Sequence, residues 1–521
     1  MMKCEQCGKE LKQGAKFCSS CGNKVTPRIE VEKSDKGQKT LVIILGILLL
    51  CILGGIIGVL FGLKKNGMDF WKNSSYQNAE EGEEEESLAI EESYDLLVCV
   101  PVESMSLRET PGFGEDIIVE LKPGTYLKWY GESVVVNETE FYKVTLKDSG
   151  EEGYLSARYC VDVDFDYECV EQKLDIVETK TALYTYEMML EDIDTLCNQY
   201  PDRLQDNMIA YSADGREIHE IILGNPAAEN HIMMQAGIHG REYMTSQLVM
   251  KMLEYYACFY EEGSFDGVSY QDIFDKTAIH VVTMSNPDGV TISQLGVEAL
   301  NNSYFADIIY ESYERDKGTL AYEEDSNGDM NWNDYYKKAG YNREASGHFR
   351  EITFEEYQRI WKANARGVDL NNNFDADWAA IDLKKAPSYG SFKGDYPLSE
   401  SESQALVEMA YKHDYKCFLS YHARGQLIYY DVVGNSLENS QASLDLANAL
   451  DDWIKYGPVN TAGAYNVNLG GFGDWVQLSL NKPSVTIENG KRPCPLEADE
   501  FTAIWYRHRE SWAMLGKQYF K

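Results

Sequence analysis

The sequence predicts an α/β fold for its C-terminal part, with a small all-β unit before it, and three observations carry that prediction. Short β-like runs at Glu217–Leu223, His231–Ala236 and Ala278–Met284 surround a helix-patterned stretch, Tyr243–Tyr260. Strand and helix in alternation argue a sheet covered by helices. A second helical stretch, Ser401–His413, has Ser399 and Glu402 placed as a capping box and leads to the apolar run Cys417-Phe-Leu. Residues 96–163 differ: short alternating strands are broken by turns such as Leu107-Arg-Glu-Thr-Pro-Gly112 and Leu121-Lys-Pro-Gly124.

At 521 residues the chain is too long for one ordinary domain. Its apolar fraction of 44% is normal for globular protein. A net charge of −37 argues against nucleic acid as a partner, because that binding depends on neutralising phosphates with Lys and Arg. The charge is unevenly spread: residues 1–39 hold nine Lys/Arg and five Asp/Glu, net +4, which leaves −41 for the rest. Two environments are implied.

In the head, residues 1–28, Cys4-x2-Cys7 and Cys18-x2-Cys21 form two knuckles, each followed by glycine. Four thiolates on paired turns are how structural zinc is held, so the head resembles a zinc ribbon. In so small a unit the metal supplies most of the folding energy, on the order of 10 kcal/mol. Residues 41–63 contain no charged side chain. At about 1.5 Å per residue this stretch spans a hydrocarbon core of about 30 Å. It is too long for a signal peptide and no small-residue cleavage site comes after it, so an uncleaved single-pass anchor is expected. The basic head then lies in the cytoplasm, where a protein partner is expected for the ribbon, and everything after Lys65 faces outward. Residues 64–95, rich in Glu, read as a self-repelling acidic linker.

The β unit continues with Phe141-Tyr-Lys-Val144 as a strand, then Glu152-Gly-Tyr-Leu155 and Arg158-Tyr159. This order resembles a bacterial SH3-like domain of five or so strands, a class used both for binding cell-wall peptide and as a spacer. Trp129, Tyr130 and Tyr142 are expected in its core. Cys99 and Cys160 fall in its first and last strands, which are neighbours in small barrels, so a disulfide suits an outer surface. The outer region holds seven cysteines, an odd number, so at least one is unpaired. Cys258 and Cys417, in apolar runs, are expected as buried thiols.

The chemistry centres on Gly237-Ile-His239-Gly-Arg241-Glu242, at a strand-to-helix corner. An imidazole and a carboxylate three positions apart can converge on one zinc ion. The spacing alone is weak, since His348-Phe-Arg-Glu351 repeats it. Downstream stretches separate the two: Ser420-Tyr-His422 after an apolar run, Gly367-Val-Asp-Leu-Asn371-Asn372-Asn373-Phe374, and Ser484-Val-Thr-Ile-Glu488. With Asn286-Pro-Asp-Gly289 and Pro397-Leu-Ser-Glu400-Ser-Glu402, these resemble the zinc metallocarboxypeptidase family over residues 183–521. His348 and Glu351 have no such company and read as surface residues.

The resemblance implies a mixed, twisted sheet of about eight strands with helices on both faces, and a catalytic zinc held by His239, Glu242 and His422. Two His and one Glu leave the fourth position for water, whose pKa zinc lowers toward about 7. Glu488, at the end of a β-like run, is the implied general base. Arg241 matches a substrate-contacting arginine, and Asn371 an asparagine that holds a substrate carboxylate. The family's electrophilic arginine has no direct match: Trp361-Lys362 stands in its place with Arg366 nearby, and either cation suits an oxyanion.

Two departures bear on substrate. A carboxylate-clamping arginine is expected at 372, where this chain has Asn372, and an amide cannot make the bidentate charged pair. The family's mobile tyrosine is matched only by Tyr465, in uncertain register. The phrase Trp361-Lys-Ala-Asn-Ala-Arg-Gly-Val-Asp-Leu-Asn371 is similar to a bacterial branch that cleaves γ-D-glutamyl-diaminopimelate bonds in peptidoglycan stem peptides. A membrane-anchored wall peptidase is therefore the leading expectation. A carboxypeptidase of ordinary peptides and an inert wall-binding sensor are the alternatives. Residues 297–350 form an extra segment in which Asp325-Ser-Asn-Gly-Asp329-Met-Asn331 reads as an Asx-rich turn rather than a calcium loop.

Overall fold

The structure is a computed structural model, and it describes residues 94–101, 104–162, 173–318, 320–324, 330–336, 348–462 and 469–519. The four head cysteines, the apolar stretch 41–63, Cys169, most of the Asx-rich turn and Tyr465 lie outside the described residues. Among the described residues no helix is long and apolar enough to cross a membrane.

The first unit is a sheet of seven strands rather than five or so: β1 (Asp95–Cys99), β2 (Met105–Arg108), β3 (Ile117–Leu121), β4 (Thr125–Val136), β5 (Thr139–Leu146), β6 (Glu152–Ser156) and β7 (Cys160–Asp162), in the order β3-β2-β6-β5-β4-β1-β7. All its pairings are antiparallel. Leu97, Leu107, Leu127, Val144 and Leu155 fill its core. Trp129 and Tyr142 stack at 4.3 Å and lie partly buried against that core. Tyr130 does not join it: it is 42% exposed and meets Tyr94 edge-on. Strand β1 brings Cys99 opposite Cys160 of β7, and both are buried thiols. Burial pushes the Cys99 thiol up to about 12. Cys417 is buried as expected, whereas Cys258 is only half-buried.

The seven-stranded unit shares a core with the C-terminal part of the chain. Val98, Val100 and Val161 belong to the same apolar cluster as Trp505 and Tyr506. The buried Arg507 guanidinium donates to the carbonyls of Ile454 at 2.8 Å and Val100 at 3.1 Å, bridging the two units.

The larger unit is built on an eight-stranded mixed sheet, as expected. Its strands are β8 (Leu204–Tyr211), β9 (Glu217–Leu223), β10 (Asn230–Gln235), β13 (Thr277–Val282), β17 (Phe418–Ala423), β18 (Leu427–Tyr429), β19 (Gly457–Val459) and β20 (Ser484–Asn489). The order is β19-β18-β20-β17-β10-β13-β9-β8, and the central four strands are parallel. Alternation along β10 sends Met233 to one face and Met234 to the other, and two apolar clusters cover those faces. On the Met234 face lies the helix Met244–Cys258, buried on nearly every side. Its Lys251 and Glu254 pair at 2.8 Å, and both hold the backbone of residues 174–177. The helix Ser401–Ala410 covers the Met233 face.

The expected capping box at Ser399 and Glu402 does not form. Glu400 is the N-cap residue and makes no side-chain cap. Ser399 bonds instead to Asn373 and Glu400, while Glu402 accepts from the Ala213 backbone and from Asn364. Long-range partners displace the local ones. A two-stranded hairpin, β11 (Ser264–Phe265) and β12 (Val268–Ser269), comes after the buried helix. The extra segment carries the helix Ser303–Asp316 and a small sheet of β14 (Leu320–Glu324), β15 (Met330–Tyr336) and β16 (His348–Glu351). It lies by a satellite core around Tyr357 and Trp361. His348 and Glu351 thus open and close a strand, apart from the other motifs.

Candidate active site

After β10 the chain adds β13 on one side of it, and then returns to lay β17 on the other. The sheet order reverses between β10 and β17, and their carboxyl ends frame a crevice of the kind open α/β sheets use for ligands. His239 lies just beyond β10, and His422 lies at the end of β17.

The corner that carries His239 is held from beneath. Gly240 lies so close to Gly289 that a Cβ there would sit 2.3 Å from its carbonyl. Only glycine fits that approach. Asn286 accepts from the Gly289 amide at 2.8 Å, and its own amide donates to the carbonyls of Ile238 and Lys362, both at 3.1 Å. Asn286-Pro-Asp-Gly289 is therefore the footing of the corner. A single tight turn, Gly240–Glu242, then brings Glu242 back toward His239.

His239 Nδ1 lies 2.8 Å from Glu242 Oε1, His422 Nδ1 lies 3.1 Å from Glu242 Oε2, and the two Nδ1 atoms are 3.2 Å apart. All three side chains are buried. His422 Nε2 has no hydrogen-bond partner among the described residues. Asn489 donates to the His422 carbonyl at 3.2 Å and fixes its backbone.

Burial alone would raise the Glu242 carboxyl, but His239 and His422 hold it well below the usual carboxylate range. Burial pulls His239 down, yet the Glu242 charge prevails and carries it up to about 9. Burial lowers His422. Two imidazoles facing one ionised carboxylate in a dry corner make a donor set that suits zinc.

Asp369 joins the site without being marked by any motif of its own. It is buried, its Oδ1 lies 3.3 Å from His239 Nε2, and its carboxyl is held low against burial by His239. A carboxylate behind a metal-ligating imidazole fixes ring and tautomer. The only signal in the sequence is its place inside the Gly367–Phe374 stretch, two residues before Asn371.

Glu488 faces the same crevice. It is the register partner of His422 across β17 and β20, and it is partly exposed. Burial, and then the Glu242 charge, push its carboxyl up to about 8, against Lys362, His239 and Arg241. Its charge also acts on the half-buried Tyr429, a phenol that no motif in the sequence marks.

The remaining candidates divide. The Lys362 charge is felt at His239, Asp369, His422 and Glu488. Arg366 points elsewhere, with a 56% exposed side chain 4.0 Å from Glu400. Arg241 acts on Glu488 from the tight turn itself. Asn371 is partly exposed and accepts from the Phe472 amide at 3.1 Å, and Asn372 is also partly exposed beside it.

Comparison with known proteins identifies relatives of the chain. A zinc carboxypeptidase family profile matches residues 189–511, and a zinc-ribbon domain profile matches residues 3–25. Gamma-D-glutamyl-L-diamino acid endopeptidase 1 of Lysinibacillus sphaericus is 26% identical over 328 residues, covering 62% of this chain and 69% of its own length. An uncharacterized protein of Bacillus subtilis is 29% identical over 300 residues, covering 57% of this chain and 68% of its own. Among solved structures, thrombin activatable fibrinolysis inhibitor aligns with a TM-score of 0.46 at 14% identity, over 71% of this chain and 89% of that one.

Proposed function

The chain belongs to the zinc carboxypeptidase family, and from that premise we propose that it is a membrane-anchored hydrolase of amide bonds in peptidoglycan stem peptides, of the γ-D-glutamyl-diamino acid type. The observation that carries the catalytic part is the convergence of His239, Glu242 and His422, with Glu488 beside His422 on the adjoining strand. His239, Glu242 and His422 would hold a zinc ion, which would supply Lewis acidity and lower the pKa of water in the crevice. Glu488, register partner of His422, is placed to accept a proton from the attacking water and return it to the leaving nitrogen. A carboxylate beside His422 at the mouth of the crevice has the reach and the chemistry for both transfers. Lys362 is the cation that faces the developing oxyanion, since its charge reaches the crevice and that of Arg366 points away. Asp369 keeps His239 in place, while Arg241 and Asn371 contact the peptide.

Two features support the stem-peptide reading. The Lysinibacillus relative is named for a γ-D-glutamyl-diamino acid bond, and Asn372 supplies no charged fork for a free C-terminal carboxylate. The apolar stretch 41–63 anchors the chain with its zinc-ribbon head in the cytoplasm and its catalytic unit outside. The seven-stranded unit, read as SH3-like, lies between the acidic linker and the catalytic unit in sequence. Incubation of the purified chain with a defined stem peptide and an ordinary C-terminal peptide, read by mass spectrometry, tests the substrate. Release of the diamino-acid fragment supports the proposal. One-residue trimming of the ordinary peptide instead would replace it with a carboxypeptidase.

A further inference from the structure

Three of the eight histidines gather at the other end of the sheet. His231 begins β10, His280 lies within β13, and His413 sits in the turn after the helix Ser401–Ala410. Parallel pairing sets His231 opposite Ala278 and Met233 opposite His280, so both imidazoles leave the face that carries Met233. His231 Nδ1 and His280 Nε2 are 2.9 Å apart. The His413 ring stacks on His231 at 4.1 Å and tilts against His280 at 4.8 Å. One ligand nitrogen from each lies within 4.8 Å of the others.

A carboxylate orients the set. Glu220 Oε1, on β9, is 2.7 Å from His280 Nδ1. That contact places the His280 proton on Nδ1 and leaves its Nε2 lone pair turned toward His231. Asn207 donates to the other Glu220 oxygen at 3.3 Å, and Lys412 lies 3.7 Å from it. Lys412 and Lys416 are the positive charges acting on the cluster, and Glu220 is the negative one. A carboxylate bonded to the far nitrogen of an imidazole is the device that fixes metal-ligating histidines. Ligand nitrogens around a tetrahedral ion stand about 3.3 Å apart, close to the separation of His231 and His280. His280 is fully buried, whereas His231 and His413 are half-buried and leave a path for an ion and for water.

We propose that His231, His280 and His413 form a second metal site, which takes a divalent transition ion such as Zn2+ and clamps β10 and β13 to the segment entering β17. Imidazole donors suit zinc, nickel and copper rather than calcium or magnesium. Along the strand it lies on the order of 20 Å from His239, so it is separate from the catalytic centre.

The test is zinc content, by elemental analysis after equilibration with zinc, of the full chain and of its His413→Gln and His231→Gln variants. His280 is left intact so that Glu220 keeps its partner. The site predicts one zinc equivalent fewer in each variant, loss of part of the zinc-induced rise in Tm, and an unchanged Tm in chelator. Equal zinc content and equal zinc-induced Tm shifts in all three proteins would show a hydrogen-bonded imidazole cluster only, and would overturn the proposal. A His239→Gln control should also lose one equivalent, and the double variant His239→Gln/His413→Gln should lose two.

Discussion

His422 and Glu488 face each other across the parallel strands β17 and β20, so one strand pair presents the proposed zinc ligand and the proposed proton-transfer group side by side. Their spacing is set by the ladder and not by loops, which is how adjoining strands fix two side chains at once. The arrangement makes Glu488 separable from metal binding.

The cation assignment is open to test at two positions. Lys362→Met is expected to lower kcat by about 100-fold or more, the usual cost of losing one oxyanion partner. Arg366→Met should leave kcat within about twofold, because its side chain points to solvent and Glu400. Steady-state kinetics on one cleaved peptide compares both. The reverse order of effects would transfer the role to Arg366.

The role proposed for Asp369 runs through His239, 3.3 Å away. Asp369→Asn is expected to weaken zinc binding by about 10- to 100-fold, read by chelator competition, with the fold intact by circular dichroism. A merely structural role would lower Tm and leave zinc affinity unchanged.

Glu402 supplies a pH dependence of stability. Burial, and then the Asp288 charge, raise its carboxyl to about 7 in the folded chain. A carboxyl raised on folding stabilises below its unfolded pKa, and that contribution is lost as pH rises through the folded value. Between pH 5 and 8 the chain should lose on the order of 2 kcal/mol through this residue. Glu402→Gln should flatten that slope and equal or exceed the parent at pH 8 in urea titrations. Parallel slopes would assign the pH dependence to other groups.

Arg507 ties the seven-stranded unit to the catalytic one. Arg507→Met strips the Ile454 and Val100 carbonyls of a donor and should cost about 2–3 kcal/mol. Chemical denaturation is the readout, and a change below about 0.5 kcal/mol would show that the apolar seam alone holds the units together.

The sheet was legible because its strands are apolar runs with clean ends, and the candidate zinc ligands because His239, Glu242 and His422 sit where such runs stop. Other features depended on contacts between segments far apart in the chain. Asp369 meets His239 only once the two segments converge, and Lys362 and Arg366 differ in direction, not in sequence context. The Ser399–Glu402 box failed for the same reason, since Asn373, Ala213 and Asn364 offered those side chains distant partners. His231, His280 and His413 lie in three unrelated stretches, and no spacing rule links them.

The most direct test of the catalytic account sets zinc content beside turnover in two variants, Glu488→Gln and His422→Gln. Glu488→Gln is expected to keep its full zinc complement and its KM while kcat falls by about 10²- to 10⁴-fold. His422→Gln should lose one zinc equivalent together with activity. Near-parental turnover in Glu488→Gln, with zinc bound, would contradict the role given to Glu488 and with it the mechanism.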